Sequence, residues 1–325
     1  MNSTHQRFFN FFIIVGISDI PEMQGPIFLM VLFIYLITFG GNMTILWLVC
    51  LDHHLHTPMY FFLANLSVLD MASSTATLFR ILASFVTGNT MVSYQVCILQ
   101  MYIWASLIGL ELLILTAMSF DRYVAICNPL NYHMVMNPRV SAFLAAVCWF
   151  WAFLECLPHT IIIINFTCYK SNRINHFFCD ILPLKDLTCS DTTLLSQLIL
   201  ASVLFHLFFS FPLTFIPYVF IITTILRIPS SFGRHKAFQT CSSHLSVVTL
   251  LYVVLLCQYM RPNQSDQLNS NKLFSLFNTA AVPMLNPLIY SLKNKDVKLA
   301  LRREVRKIKV LLKYDKLELN VIGDF

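Results

Sequence analysis

Residues Cys97–Cys127 read CILQMYIWASLIGLELLILTAMSFDRYVAIC, an apolar run with one acid, Glu111, in its middle and Asp121-Arg122-Tyr123 near its end. At about 1.5 Å of rise per residue, Cys97 and Arg122 stand roughly 37 Å apart on a helix, enough to cross a hydrocarbon core of about 30 Å with both ends near water. The stretch predicts a membrane-crossing helix. Trp104, Ile108, Glu111, Leu115, Met118 and Arg122 recur at spacings of four and three and so share one face. An ionisable group at mid-membrane costs at least ~3 kcal/mol. Glu111 therefore turns its face toward protein, and the helix is expected inside a bundle.

The composition agrees: 57% of the 325 residues are hydrophobic and 12% charged, against about 25% charged in soluble domains. The reading is an integral, all-α membrane protein. No glycine-rich phosphate loop, H-E-x-x-H or G-x-S-x-G occurs, so no catalytic residue is assigned and the chain is not read as an enzyme. Met1–Gly25 carries Arg7, Asp19 and Glu22 without a basic n-region, so no cleaved signal peptide is expected and the first span targets itself.

Apolar runs long enough to span lie near Ile27–Leu51, Pro58–Ser84, Cys97–Ile126, Val140–Ile164, Leu194–Ile228, Ala237–Met260 and Leu273–Ser291, which predicts seven helices. No linker, repeat or low-complexity segment divides them. The chain reads as a single domain, residues 1–325, with a tail at 1–26, a bundle at 27–291 and an amphipathic helix and tail at 292–325. Lys293, Lys295, Lys298, Arg302, Arg303, Arg306, Lys307, Lys309, Lys313 and Lys316 crowd the C-terminal end. The positive-inside rule puts that end in the cytoplasm and, with seven spans, the N-terminus outside. Glycosylation sequons at Asn2, Asn165 and Asn263 fall on segments this topology makes extracellular. After the seventh span Val297, Leu301, Val305, Ile308 and Leu312 form an apolar stripe among the basic residues, which predicts a helix lying on the inner membrane surface.

Of ten cysteines, Cys97 and the three in one polar connection, Cys168, Cys179 and Cys189, suit disulfides in an oxidising lumen, with three connectivities open.

Asp121-Arg122-Tyr123, Asn286-Pro287-Leu288-Ile289-Tyr290, Trp149 and Cys97 together resemble rhodopsin-like G-protein-coupled receptors. Leu55-His56-Thr57-Pro58-Met59-Tyr60-Phe61-Phe62-Leu63, Met118–Cys127, Lys236–Leu245 and Pro283–Ser291 narrow the resemblance to odorant (olfactory) receptors, over roughly Gly41 to Arg303. Phe120, Ser242 and Val253-Val254 depart from the family pattern, the last on the expected pocket wall.

The resemblance implies a plasma-membrane receptor that binds a small, mainly hydrophobic odorant and activates a heterotrimeric G protein of the olfactory stimulatory type, raising cyclic AMP. It places the odorant among Trp104, Ala105, Ile108, Gly109, Ser202, His206, Tyr252, Leu255, Leu256, Tyr259, Leu276 and Thr279. It assigns coupling and activation to Asp121, Arg122, Tyr123, Asn286, Pro287 and Tyr290, with Asp121 and nearby groups holding Arg122 in the closed state. Asn42, Asp70, Glu111 and Asn286 form either a water or sodium cluster or a structural network, and no other cofactor is implied. The family's pairing is Cys97–Cys179 and Cys168–Cys189. His176-Phe177-Phe178-Cys179-Asp180 offers an alternative metal-ligand set, although no metal site is assigned. Ser202 and His206 share a face, and in apolar surroundings His206 either bonds a neighbouring helix or, as the reading taken here, meets a ligand with one polar group: hydroxyl, carbonyl or carboxylate. Partners are the odorant, the G protein and lipid, not nucleic acid. The competing reading, a small-solute transporter with an intramembrane acid pair, requires matching interrupted spans in two halves, and the sequence has none.

Overall fold

Alternating stretches of long apolar helix and short polar connection leave the chain one way to bury its polar backbone, an assembly of helices side by side. The computed structural model describes residues 9–18, 20–259, 267–292, 294–307 and 309. Its long helices are α1 (Pro21–Leu51), α2 (Pro58–Thr87), α3 (Tyr94–Cys127), α4 (Pro138–Ile164), α5 (Thr193–Leu226) and α6 (Ser231–Tyr259). There follow α7 (Gln267–Leu276, continued through Phe277–Ala281 into Val282–Leu292) and α8, helical at 295–307. Among the described residues α1 to α5 are long and apolar enough to cross a membrane, and α6 carries a shorter apolar stretch, His244–Gln258.

The boundaries follow local chemistry. α1 starts at Pro21 rather than Ile27, since proline at a first helical position gives up a donor that would have no partner there. α3 starts at Tyr94, where the Ser93 hydroxyl accepts from Val96 N at 3.4 Å. α4 starts at Pro138, capped by Asn137 accepting from Val140 N at 3.0 Å. Gly88, at φ 67°, ends α2 in the left-handed conformation that suits glycine.

As its buried acid requires, α3 is the central strut, packed against α2, α4 and α5. Leu107, Leu110, Ile114 and Leu115 are buried in one core with Phe62, Leu63, Leu66 and Leu69 of α2. Trp149 Nε1 donates to Asn65 Oδ1 at 3.1 Å and ties α4 to α2. α1 and α7 meet where Gly41 faces Pro287: a Cβ at Gly41 would lie 2.9 Å from the Pro287 Cβ, so only glycine fits there. Wide π-turns interrupt α2 at Thr75–Phe79, α5 at His206–Ser210 and α7 at Phe277–Ala281. Buried Gln100 serves the first of them, donating to Ala76 O at 2.5 Å while accepting from Cys179 N at 3.1 Å.

The segment read as a plain tail is structured. β1 (Phe11–Ile14) pairs antiparallel with β2 (Met91–Ser93), Phe12 opposite Val92, and parallel with β3 (Arg173–Ile174), Ile14 opposite Ile174. Side chains alternate across the strand. Phe11 points out, while Phe12 and Ile14 enter a core with Val92, Cys97, Tyr169, Ile174 and Cys179. The Phe12 ring meets Tyr169 edge-on at 5.3 Å.

Both disulfides, Cys97–Cys179 and Cys168–Cys189, are formed, each with Cα atoms 5.3 Å apart. Beyond Cys179, Asp180 Oδ1 accepts from Ile181 N at 2.7 Å and starts the short helix Ile181–Leu187. Burial pushes the Asp180 carboxyl up to about 7, with the Ile181 N–H drawing it partly back. Burial, then the nearby Lys272 charge, takes His176 down to about 3. An unfolded Asp180 loses its proton near pH ~4, whereas the folded one keeps it to about 7. Stability conferred by this group therefore falls as pH rises from ~4 to 7 and stays low above. Asp180→Asn keeps the capping oxygen without the titration. It is expected to gain on the order of 2–4 kcal/mol at pH 8 and nothing at pH 4. Thermal inactivation of solubilised protein at the two pH values measures it, and an equal gain at both would exclude Asp180 ionisation as the cause.

At the opposite end, buried Asp52 accepts from Arg303 Nε at 2.8 Å and Nη2 at 2.6 Å, and from His54 N and Nδ1. Burial alone would raise its carboxyl, but Arg303 and His54 outweigh that and hold it well below the usual range. The pairing thus stabilises above pH ~4 and fades as pH falls further. It clasps α8 to the end of α1. The predicted α8 stripe is split, because Val297 and Ala300 pack into the bundle core whereas Leu301 and Val305 are about 40% exposed. Ile308 and Leu312 lie outside the described residues.

Candidate ligand cavity and polar core

A cavity of about 130 Å³ opens between α3, α4, α5 and α6, on the disulfide side of the bundle. On α3 its wall is Met101, Ala105, Ile108, Gly109 and Leu112, a face set by spacings of three and four. Ser202 and His206 of α5 and Tyr252, Leu255 and Leu256 of α6 line it as expected. Trp104 does not, being one residue off this face. It is buried on the α1 and α2 side against Phe178, ring centroids 4.6 Å apart, in a cluster that Leu276 also joins. Thr279 is likewise buried elsewhere, donating to Ser275 O at 2.8 Å. The Tyr259 side chain lies outside the described residues.

Sequence reasoning missed the α4 wall, Glu155, Cys156, His159 and Thr160. The signal was present: Glu155 is an ionisable residue inside a span, and the argument applied to Glu111 applies to it equally. Glu155 Oε2 lies 3.3 Å from His206 Nε2, with both side chains about 15% exposed or less. His159 Nδ1 lies 3.2 Å from Glu155 O, and its Nε2 3.5 Å from Ser202 Oγ. So His206 meets an acid on the neighbouring helix. Beneath the cavity, Tyr252 OH and Ser210 Oγ are 2.6 Å apart, and Thr116 Oγ1 reaches Ser210 at 3.1 Å and Thr214 at 2.7 Å. This joins α3, α5 and α6 at the cavity floor.

Deeper in the bundle, Asn286 Nδ2 donates to Asp70 Oδ1 and Oδ2 at 3.1 and 3.0 Å and to Glu111 Oε1 at 3.3 Å, all three residues being buried. Two acids thus converge on one amide. Asn42 turns to backbone, donating to Thr38 O at 3.0 Å and Pro283 O at 3.3 Å. Asn286 Oδ1 is buried without a partner among the described residues. Two carboxylates and an unmatched amide oxygen suit a hard monovalent cation, so the donor set fits sodium.

At the far end of α3, Asp121 Oδ1 accepts from Tyr132 OH at 2.8 Å. Arg122 Nη2 points at Met59 Sδ of α2. No Asp121–Arg122 ion pair occurs among the described residues: the tyrosine after α3 reaches the carboxylate, and the guanidinium lies against the α2 face. Tyr123 packs with Tyr218, Ile221, Ile225 and Cys241, and Tyr218 OH bonds His244 Nδ1 across α5 and α6. Pro287 sits inside α7, and the Tyr290 side chain lies outside the described residues.

The metal-ligand reading of His176–Asp180 is also corrected. Cys179 is in a disulfide, His176 Nδ1 contacts Phe178 O at 3.2 Å, and Asp180 caps a helix. Of the sequons, Asn165 is exposed at the end of α4, while Asn2 and Asn263 lie outside the described residues.

The olfactory receptor family matches residues 31–308. Human olfactory receptor 5B12 is 42% identical over 298 residues, 92% of this chain and 95% of its own length. Human olfactory receptor 8U8 is 44% identical over 294 residues, 90% and 92% of the two chains, and mouse olfactory receptor 8G50 43% over 298, 92% and 96%. With the family match spanning the bundle and these relatives aligned along nine-tenths of the sequence, the chain belongs to the olfactory receptor family.

Proposed function

We propose that this receptor takes a small, mainly hydrophobic odorant into the cavity between α3, α4, α5 and α6 and passes the event to a heterotrimeric G protein at the Asp121-Arg122-Tyr123 end, raising cyclic AMP. The observation that carries the siting is the cavity itself, apolar over most of its wall with a few polar groups gathered on α4 and α5. Tyr252 both lines the cavity and bonds the α5 hydroxyls, so a ligand that moves it acts on α5 and α6 together. As an olfactory receptor the protein is not an enzyme, and the transporter reading has no support.

Between cavity and coupling end lies the Asp70, Glu111 and Asn286 cluster. A sodium ion held by these oxygens would neutralise charge that one amide does not balance. In the proposed orientation the disulfide-bearing end and Asn165 face outside, and α8 lies at the cytoplasmic surface with Leu301 and Val305 toward lipid. The whole chain is one bundle domain in the plasma membrane.

On α3, Arg122 stands roughly 20 Å along the axis from Gly109 of the cavity. Arg122→Ala is therefore expected to abolish agonist-driven cyclic AMP in reporter cells, with surface staining and ligand binding within about twofold of wild type. Normal signalling by a well-expressed variant would remove Arg122 from coupling. A ligand that accumulates in cells without any cyclic AMP response would overturn the receptor reading.

A further inference from the structure

The polar end of the cavity is built from hydrogen-bond acceptors. His159 Nδ1 faces the Glu155 carbonyl at 3.2 Å, and a carbonyl only accepts, so this nitrogen carries the proton. In the neutral ring Nε2 is then the acceptor. The Ser202 hydroxyl, 3.5 Å away, donates to it and keeps its own lone pairs open. His206 follows the same logic. Its Nε2 lies 3.3 Å from a Glu155 carboxylate oxygen, which again only accepts, so Nε2 donates to it and holds the carboxylate at the cavity wall.

The hydroxyl donors along the wall are already committed. Thr160 donates to Cys156 O at 3.0 Å, Tyr252 is bonded to Ser210 at 2.6 Å, and Ser202 is turned to His159. The polar side chains at this end of the space are Glu155 and Ser202, with His206 held beside Glu155, against a mainly apolar wall. His206 also opens the π-turn of α5, an irregularity that re-aims side chains and recurs at functional sites.

We infer that the odorant must supply the hydrogen-bond donor: a molecule of about one ring carrying a single O–H or N–H group. Acceptor-only carbonyls leave the Glu155 and Ser202 oxygens unmatched, and a carboxylate would sit against Glu155. The size follows from the volume, since about 130 Å³ is close to the ~150 Å³ that holds benzene. This inference rests on the cavity being the odorant site, and it narrows the polar group left open by the sequence to one class.

The test uses reporter cells expressing the full receptor, matched by surface staining, and five probes on one frame: toluene, benzaldehyde, benzoate, benzyl alcohol and benzylamine. Benzyl alcohol or benzylamine is expected to act at a concentration at least tenfold below benzaldehyde, with benzoate weakest. Which donor leads tells hydroxyl from amine recognition. Glu155→Gln exchanges an acceptor for a donor and should shrink the lead over benzaldehyde at least tenfold. Gly109→Leu fills the cavity, because a Cβ at Gly109 meets nothing within 4 Å, and should silence every probe. Responses unchanged in Gly109→Leu would overturn the siting of the odorant. A lead by benzaldehyde or benzoate that Gly109→Leu abolishes, or silence of both donors at millimolar concentration, would overturn the donor inference alone.

Discussion

Cys97→Ser and Cys179→Ser are each expected to destabilise the receptor by about 4–5 kcal/mol and to keep nearly all of it from the cell surface. The bond joins positions 82 residues apart, and in the chain-entropy account a loop of that length carries roughly 4.5 kcal/mol. Its environment adds to the effect. Both cysteines are fully buried with Phe12, Tyr169 and Ile174, and Cys179 N–H is held by Gln100. Losing the bond therefore loosens the sheet, the connection between α4 and α5 and the π-turn of α2 together. The double variant should be little worse than either single, because partners in one bond are not additive. Cys168–Cys189 closes a loop of only 21 residues, so its loss should cost less, about 3 kcal/mol. Surface staining relative to total protein gives the ranking, and mass spectrometry of a non-reduced digest gives the linkage. Additive losses in the double variant would show that Cys97 and Cys179 contribute through separate contacts.

Asn286→Ala is expected to cost about 3–5 kcal/mol, the range for stripping a partner from a buried charged group. Its amide donates to Asp70 and Glu111 at 3.0–3.3 Å, and all three side chains are 5% exposed or less. Without the amide, two acids on α2 and α3 face each other in a medium that screens them poorly. Removing one acid should then help. Asn286→Ala combined with Glu111→Gln is expected to recover at least half of the loss, even though it changes more residues. Melting temperatures of the purified variants in lipid nanodiscs measure this. A double variant worse than the single by the full cost of Glu111→Gln alone would mean that the acids do not act on each other through Asn286.

The helices were legible because their signals are local. Apolar run length reads directly as a span, while the ends set by Asn137-Pro138 and by Gly88 lie just beyond the apolar runs and were not read from them. The coupling motif and both cysteine pairs came through resemblance rather than spacing. What stayed hidden depended on rotation and on distant pairing. Trp104 and Ala105 are adjacent in sequence, yet 100° of helix sends one to Phe178 and the other to the cavity. The face drawn through Glu111 is the polar-core face, and the cavity face lies beside it. β1 escaped because four residues of alternating burial carry a weak signal, and its partners Val92 and Ile174 come from two distant connections. The link between Asp121 and Arg122 came through resemblance, and nothing in the order of residues announces that Tyr132 returns to the Asp121 carboxylate.

The contact between Gly41 and Pro287 constrains how such a bundle changes shape. With no side chain on α1 to act as a spacer, the α7 proline ring rests against the α1 backbone, and Asn286, which gathers the two acids, is the next residue. Any turn of α7 that re-orients Asn286 must either pivot on this contact or drag α1 with it, since neither surface has slack to slide. α1 thereby becomes a travelling companion of α7. Through the Asp52–Arg303 clasp at its end, a displacement born beside the polar core reaches α8 as a rigid-body motion, without any bond having to break along the way.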